Sequence, residues 1–176
     1  MKKLILLGII GILVTGIAAA GGLTFQLGAG YHSSYVGEVP SDGEDIVKEL
    51  KNMPLGIGGY VGLGWGFGEK KALGLGLEFA PSWDFMLQDP YISNFAYQGR
   101  LFLKWKPMKI FTLTGFFGYG GNTLNAKDFE NVNNFNPLFG GRVTVLFLYA
   151  EYAAVFRPDW SQLAKHEIGI GFAFFR

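Results

Sequence analysis

The sequence predicts an all-β chain: an eight-stranded antiparallel up-and-down transmembrane β-barrel. Three observations carry the expectation. Apolar residues recur at every second position, with glycines between them. Long and short connections alternate along the chain. Charges inside the strand segments fall on the glycine face rather than on the greasy one. A period of two means extended strands whose side chains alternate between two faces. A soluble sheet would turn polar side chains away from its core. Here the second face is small and tight, which suits the inside of a narrow barrel whose apolar face meets lipid.

Composition agrees. Of 176 residues, 49% are hydrophobic and 16% charged, against roughly 25% charged in soluble domains. The chain holds 27 Gly, 17 Phe and 8 Tyr. A net charge of +1 leaves no electrostatic footprint for a nucleic-acid partner. The absence of cysteine removes disulfides, thiolate metal sites, a cysteine nucleophile and a lipoprotein anchor.

Residues 1–20 have the layout of a cleaved secretory signal peptide. Lys2 and Lys3 form the basic start, Leu4 to Ile17 the apolar run, and Ala18-Ala19-Ala20 the cleavage site. An uncleaved inner-membrane anchor is the alternative, but the run is short for a spanning helix. The expected division is therefore 1–20 signal peptide and 21–176 barrel, exported to the outer membrane. Later apolar stretches are too interrupted for a transmembrane helix.

Eight strand segments follow in order: Leu23–Val36, Leu55–Gly68, Ala72–Phe85, Phe95–Lys106, Ile110–Gly120, Leu138–Leu146, Leu148–Arg157 and Lys165–Phe175. Most match the roughly 9–11 residues a tilted strand needs to cross a bilayer. The first puts Phe25, Leu27, Ala29, Tyr31 and Tyr35 on one face, and Gln26, Gly28, Gly30, His32 and Ser34 on the other. The second alternates Leu55, Ile57, Val61, Leu63, Trp65 and Phe67 against a face of glycines broken by Tyr60. The third divides Leu73, Leu75, Leu77, Phe79 and Trp83 from Gly74, Gly76, Glu78 and Ser82. The fourth divides Phe95, Tyr97, Leu101, Leu103 and Trp105 from Gln98, Arg100, Phe102 and Lys104. In the fifth, Phe116 falls on the inner parity, which a packed interior accepts.

Between them lie a long loop (37–54), a tight turn at Glu69-Lys70-Lys71, a medium loop (86–94) and a turn at Pro107-Met108-Lys109. A long asparagine-rich loop (121–137), a turn at Leu146-Phe147 and a last loop (158–164) complete the set. This is a meander with short periplasmic turns and long outer loops.

Glu78, Arg100, Lys104, Arg142, Glu151, Arg157 and Glu167 form the expected lumen charge network. Opposed residues of a hairpin keep a constant index sum. A loop centred on Asp89 places Glu78 opposite Arg100, and a turn between Leu146 and Phe147 places Arg142 opposite Glu151. Such desolvated charges should be paired. They read either as a polar plug or as a filter lining a pore, and eight strands leave room for little more than side chains. The glycine wall of the second strand argues for a small cavity or groove beside it. Trp65, Trp83 and Trp105 lie on the apolar face near strand ends, where an indole prefers the headgroup level. With Phe174 they read as aromatic girdles; core aromatics of a lipid-binding soluble β-sandwich are the rival reading.

The last segment has Glu167, Gly169, Phe172 and Phe174 at a polar–glycine–aromatic–aromatic spacing. It resembles the C-terminal signal read by the barrel-assembly machinery, although Phe175 and Arg176 follow where the family pattern ends on an aromatic. With the loop alternation, residues 22–176 resemble the small eight-stranded outer-membrane barrels of the outer membrane protein A (transmembrane domain), X and W type. The resemblance implies outer-membrane and lipopolysaccharide-type lipids as surroundings and the assembly machinery as a partner. It also implies, from the W-type members, a conduit for small apolar solutes. No peptidoglycan-binding domain follows the barrel segment, so that tethering role is not carried over.

The fold also hosts lipid A deacylases and palmitoyltransferases, and His32-x-Ser34 is similar to the deacylase arrangement, with Glu167 placed to orient the base. Inner parity would keep that pair from the bilayer, so no catalytic residue is expected. His166 shares the outward parity of Ile168, which separates the two histidines and leaves no metal site; Gly62-x-Gly64-x-x-x-Gly68 opens no helix and marks no nucleotide site. No cofactor is expected. Glu38, Asp42, Glu44, Asp45 and Glu49 outweigh Lys48 and Lys51 in the first long loop, whose 45–52 stretch has helical spacing. That loop and the one holding Phe129 and Phe135 are either solvated caps or the contact surface for an extracellular ligand. The expected work is non-enzymatic: structural support of the membrane, or contact through surface loops.

Overall fold

In the computed structural model, residues 21–35, 55–68, 70–86, 92–126, 132–161 and 163–175 are described. The segment expected to be a signal peptide and the acidic loop, with the helix expected over 45–52, lie outside them. So do Glu69, Phe129 and Arg176.

Eight strands run β1 (Gly21–Tyr35), β2 (Leu55–Phe67), β3 (Leu73–Met86), β4 (Ile92–Met108), β5 (Phe111–Ala126), β6 (Val132–Val145), β7 (Leu148–Phe156) and β8 (Leu163–Phe175). Each pairs antiparallel with its sequence neighbours, and β1 pairs with β8, so the sheet closes with no edge. Closure gives every strand a partner on both sides. Glu78 lies opposite Arg100 and Arg142 opposite Glu151, the register expected from the hairpin centres.

At the end holding the tight turns, Gly68 (φ 75°) and Lys71 (φ 47°) have left-handed backbone. Lys71 N donates to Gly68 O at 3.0 Å, closing the β2–β3 turn. At the opposite, loop end the structure departs from expectation. The asparagine-rich segment is mostly ladder rather than loop: Gly121 pairs with Phe135, Asn122 with Asn134, Thr123 with Asn133 and Leu124 with Val132. Asn94 and Asn122 stay on the inner parity there, and Asn122 Nδ2 donates to Asn94 Oδ1 at 3.2 Å. Backbone pairing does not require an apolar face, so the sheet continues past the greasy belt. Wall height is therefore uneven: β4 has 17 residues, whereas β7 has nine.

Polarity is inverted relative to a soluble domain. Leu63, Leu77 and Leu103 are 55%, 68% and 58% exposed on the outside, whereas Glu78, Arg100 and Arg142 are only 3%, 4% and 2% exposed within. Phe102, Phe116 and Leu138 form an interior apolar layer, which accounts for Phe116 on the inner parity.

Most of the inward glycines leave no void. Space at Gly28 is taken by the Tyr60 ring, at Gly62 by Gln26, and at Gly64 and Gly76 by Phe102. The groove beside β2 lies on its outer face instead. Ala29, Ile57, Gly59, Pro81, Trp83 and Phe95 line about 690 Å³ there. Pairing lapses at Gly59 and Tyr60 opposite Ala80 and Pro81, because proline has no N–H to give the ladder.

Candidate functional site

The chemistry of this barrel is concentrated in its interior. Strand alternation sends Glu78 (β3), Arg100 (β4), Arg142 (β6) and Glu151 (β7) to one level of the lumen. Arg142 Nη1 and Nη2 donate to the two oxygens of Glu78 at 2.9 and 2.6 Å, and its Nε donates to Glu151 Oε2 at 2.7 Å. Arg100 Nη1 donates to Glu151 Oε1 at 2.7 Å and to Glu78 Oε1 at 3.1 Å. Two guanidiniums and two carboxylates thus cancel in a closed ring of charge-assisted bonds, the arrangement that makes buried ions tolerable. Aromatic faces complete the shell. Arg142 Cζ stands 3.3 Å from the Tyr60 ring centre, and Arg100 Cζ 4.2 Å from that of Phe116. Planar guanidiniums are drawn to such faces by the ring quadrupole and stack flat on them.

Two glutamines extend the ring. Gln26 Nε2 donates to Glu78 Oε2 at 2.7 Å. Gln98 accepts from Arg100 Nε at 2.8 Å and donates to Glu167 Oε2 at 2.5 Å. Glu167 then joins a second cluster nearer the loop end, with Lys165 Nζ at 2.7 Å and His32 Nε2 at 3.8 Å. His32 Nδ1 lies 2.8 Å from Asp84 Oδ1, and Ser34 Oγ donates to Asp84 Oδ2 at 2.6 Å.

The serine and histidine thus share one carboxylate and are not bonded to each other. The hydroxyl proton points at Asp84, so His32 is not placed to remove it. Among the described residues no group of three or more acidic, histidine or cysteine side chains is arranged to hold a metal. What the arrangement can do is fill and brace. The residual space at its centre, lined by His32, Tyr60, Gln98, Arg100 and Glu151 among others, is about 10 Å³, about one water's worth.

No protein-family model matches the chain, and no curated protein matches it. Solved structures do. The crystal structure of Ail, the attachment invasion locus protein of Yersinia pestis, in complex with the heparin analogue sucrose octasulfate is similar at 11% identity. It covers 88% of this chain and 99% of that one, with a TM-score of 0.47. The backbone structure of the Yersinia pestis outer membrane protein Ail in a phospholipid bilayer nanodisc matches at 13% identity, covering 87% and 100%, with a TM-score of 0.45. A further crystal structure of Ail matches at 12% identity, covering 88% and 99%, also at 0.45.

Of the seven charges assigned to the lumen from sequence, the structure joins Glu78, Arg100, Arg142, Glu151 and Glu167 through hydrogen bonds. Lys104 is interior but stands apart, toward the turn end, beside Thr114. Arg157 is a correction: it is exposed and lies past the end of β7. A register shift between Val155 and Phe156 ends that strand, so parity no longer applies at 157. Asp84 and Lys165 were missed as network members, although continuing the alternation of their strands by one step puts both inside. Tyr60 and Tyr149 also flank Arg142. Tyr149 shares the inward parity of Glu151 in the same hairpin, whereas no signal short of the closed barrel brings Tyr60 of β2 against a β6 residue.

Trp65 and Trp105 lie toward the turn end and Trp83 toward the loop end, all on the outer face, at 37%, 50% and 50% exposure. Phe172 and Phe174 of β8 also face outward, whereas Gly169 lies on the inner wall. His166 has the outward parity expected but is covered: Tyr152 Oη lies 2.6 Å from its Nδ1.

Proposed function

We propose that this chain is an integral outer-membrane protein, a plugged barrel of the small eight-stranded kind that works without catalysis. It braces the membrane and presents its loop end to the surroundings. One observation carries the reading: a continuous outward belt of Leu, Ile, Val and Phe around an ion-paired interior. Water would expose that belt at great cost, while lipid accepts it and rejects interior-type charges on the outside. Trp65 and Trp105 at one rim and Trp83 at the other support two headgroup levels. On this reading residues 1–20 are removed on export, and Gly169, Phe172 and Phe174 serve recognition by the assembly machinery. Lipopolysaccharide-type and phospholipid chains surround the belt. The tall β4–β5–β6 wall, with Asn94 and Asn122 toward its top, gives an extracellular ligand a hydrogen-bonding surface.

Against the conduit alternative stands the level of the lumen filled by Glu78, Arg100, Arg142, Glu151, Tyr60 and Phe116, and the hydrolase alternative lacks a Ser34–His32 bond. Fractionation combined with single-tryptophan quenching tests the proposal. Each of Trp65, Trp83 and Trp105 should be quenched best by lipid labels near the headgroups, and the purified protein should be electrically silent in a planar bilayer. Stable, monomeric protein in detergent-free buffer would overturn it.

A further inference from the structure

The plug is balanced at its centre but not at its turn end. Among the described residues, the charged and polar groups of the interior there are cations and hydroxyls. Lys104 of β4 is 3% exposed and lies opposite Gly74, whose missing side chain leaves the lysine stem its place: a Cβ there would stand 3.2 Å from Lys104 Cε. Lys71 reaches the same mouth from the β2–β3 turn. Its stem lies over Gly22 and Gly66, where a Cβ would stand 2.7 Å from Nζ and 2.8 Å from Cβ respectively. Lys71 Nζ also donates to Leu23 O at 3.3 Å. Among the described residues, the charges that bear on Lys104 are those of Lys106 and Lys71, both of its own sign. Across the ladder from Lys104 is Thr114, and one inward position nearer the mouth is Thr112, 2% exposed, whose Oγ1 has no hydrogen-bond partner.

Nothing among the described carboxylates offsets this end. Glu78 and Glu151 are held by the two arginines, Asp84 and Glu167 by His32, Ser34, Gln98 and Lys165, and Asp159 lies in the β7–β8 connection at the loop end. Along β3, Gly74 is four residues from Glu78, about 13 Å of strand. A buried ammonium with no counter-charge among the described residues, next to an orphaned hydroxyl, is expensive. Both costs vanish if an oxyanion sits between them.

We propose that the turn-end mouth of the lumen binds a phosphate-type anion between Lys104, Lys71 and the Thr112 hydroxyl, with Lys106 at the rim. Lysine suits this as a point charge able to meet any oxygen of a tetrahedral anion. The phosphate can come free from the compartment that the turns face, or as the headgroup of a lipid leaning over the rim.

The test uses the protein purified from membranes in zwitterionic detergent at low ionic strength. Inorganic phosphate is titrated by calorimetry against matched chloride. In parallel, ³¹P spectra are recorded in nanodiscs of phosphatidylglycerol and of phosphatidylcholine. Saturable, one-to-one phosphate binding is expected, weakened roughly tenfold or more by Lys104→Met and several-fold by Thr112→Val. Saturation only by the phosphatidylglycerol headgroup supports the site and assigns the lipid source. Should Lys104→Met fail to fold, Thr112→Val and Lys71→Met decide. Binding of neither phosphate source, equal competition by chloride, or full affinity in the variants would overturn the proposal.

Discussion

Arg142 shows how a single side chain organises this interior. It bonds both oxygens of Glu78 and one of Glu151, and its guanidinium plane lies against Tyr60. Arg100 shares both carboxylates. Replacing Glu78 with Ala would leave two buried guanidiniums sharing one anion. Losing one partner of such a cluster typically costs about 3–5 kcal/mol. Urea unfolding in lipid vesicles should show a loss of that order, whereas Arg157→Ala, at an exposed site, should stay within about 0.5 kcal/mol of wild type. Equal effects from the two substitutions would contradict the assignment of Arg157 outside the network. Glycine positions make a second residue-scale prediction. A Cβ at Gly64 would stand 2.9 Å from Phe102 Cζ and 2.6 Å from Leu75 O. Gly64→Val should therefore destabilise by about 1–3 kcal/mol through overpacking. Adding Phe102→Leu should recover part of that loss, because only the ring half of the conflict can be relieved. A double variant no better than the single one would place the conflict wholly in the backbone.

Strands and their connections explain which features could be foreseen. Alternation in β2, β3 and β4 is strict, so the faces of Leu63, Leu75, Glu78 and Arg100 followed from parity, and the hairpin centres fixed which charges meet. Parity is a local rule and stops where a strand stops. Arg157 lies beyond a register shift, and the ends of β5 and β6 carry asparagines whose polarity resembles a loop although their backbones pair. Contacts between non-adjacent strands, such as Tyr60 of β2 with Arg142 of β6, depend on how the cylinder closes and leave no trace in spacing. The vacant positions of the glycine strand likewise disclose missing side chains, not that Tyr60, Gln26 and Phe102 from neighbouring positions occupy the room. Amide exchange gives the element-scale check. Amides at 121–124, paired with 132–135, should exchange slowly, as ladder members do. Exchange there as fast as in an unpaired loop would return the segment to the status expected from its composition.

For the molecule as a whole, the decisive property is the direction of its polarity, and depth is the variable that reads it. Leu77 lies on the outer face between the level of Trp105, which pairs with Leu73, and that of Trp83, at 68% exposure, and Leu73 lies at the turn end of the same strand at 48%. Both project away from the barrel, so neither substitution to arginine disturbs the plug. If the surroundings were water, the two changes would be nearly equivalent, and each would remove an exposed apolar side chain at little cost. In a bilayer, arginine at the midplane costs about 2–4 kcal/mol and near the interface about 0–1 kcal/mol. Leu77→Arg should consequently destabilise the lipid-embedded barrel by several times more than Leu73→Arg, as measured by reversible unfolding in vesicles. The gradient distinguishes a membrane from mere hydrophobic contact, because a protein partner covering the belt would penalise charge by local packing and not by depth. Equal penalties at the two positions would exclude hydrocarbon as the medium around β3, and the outer-membrane assignment would fall with it.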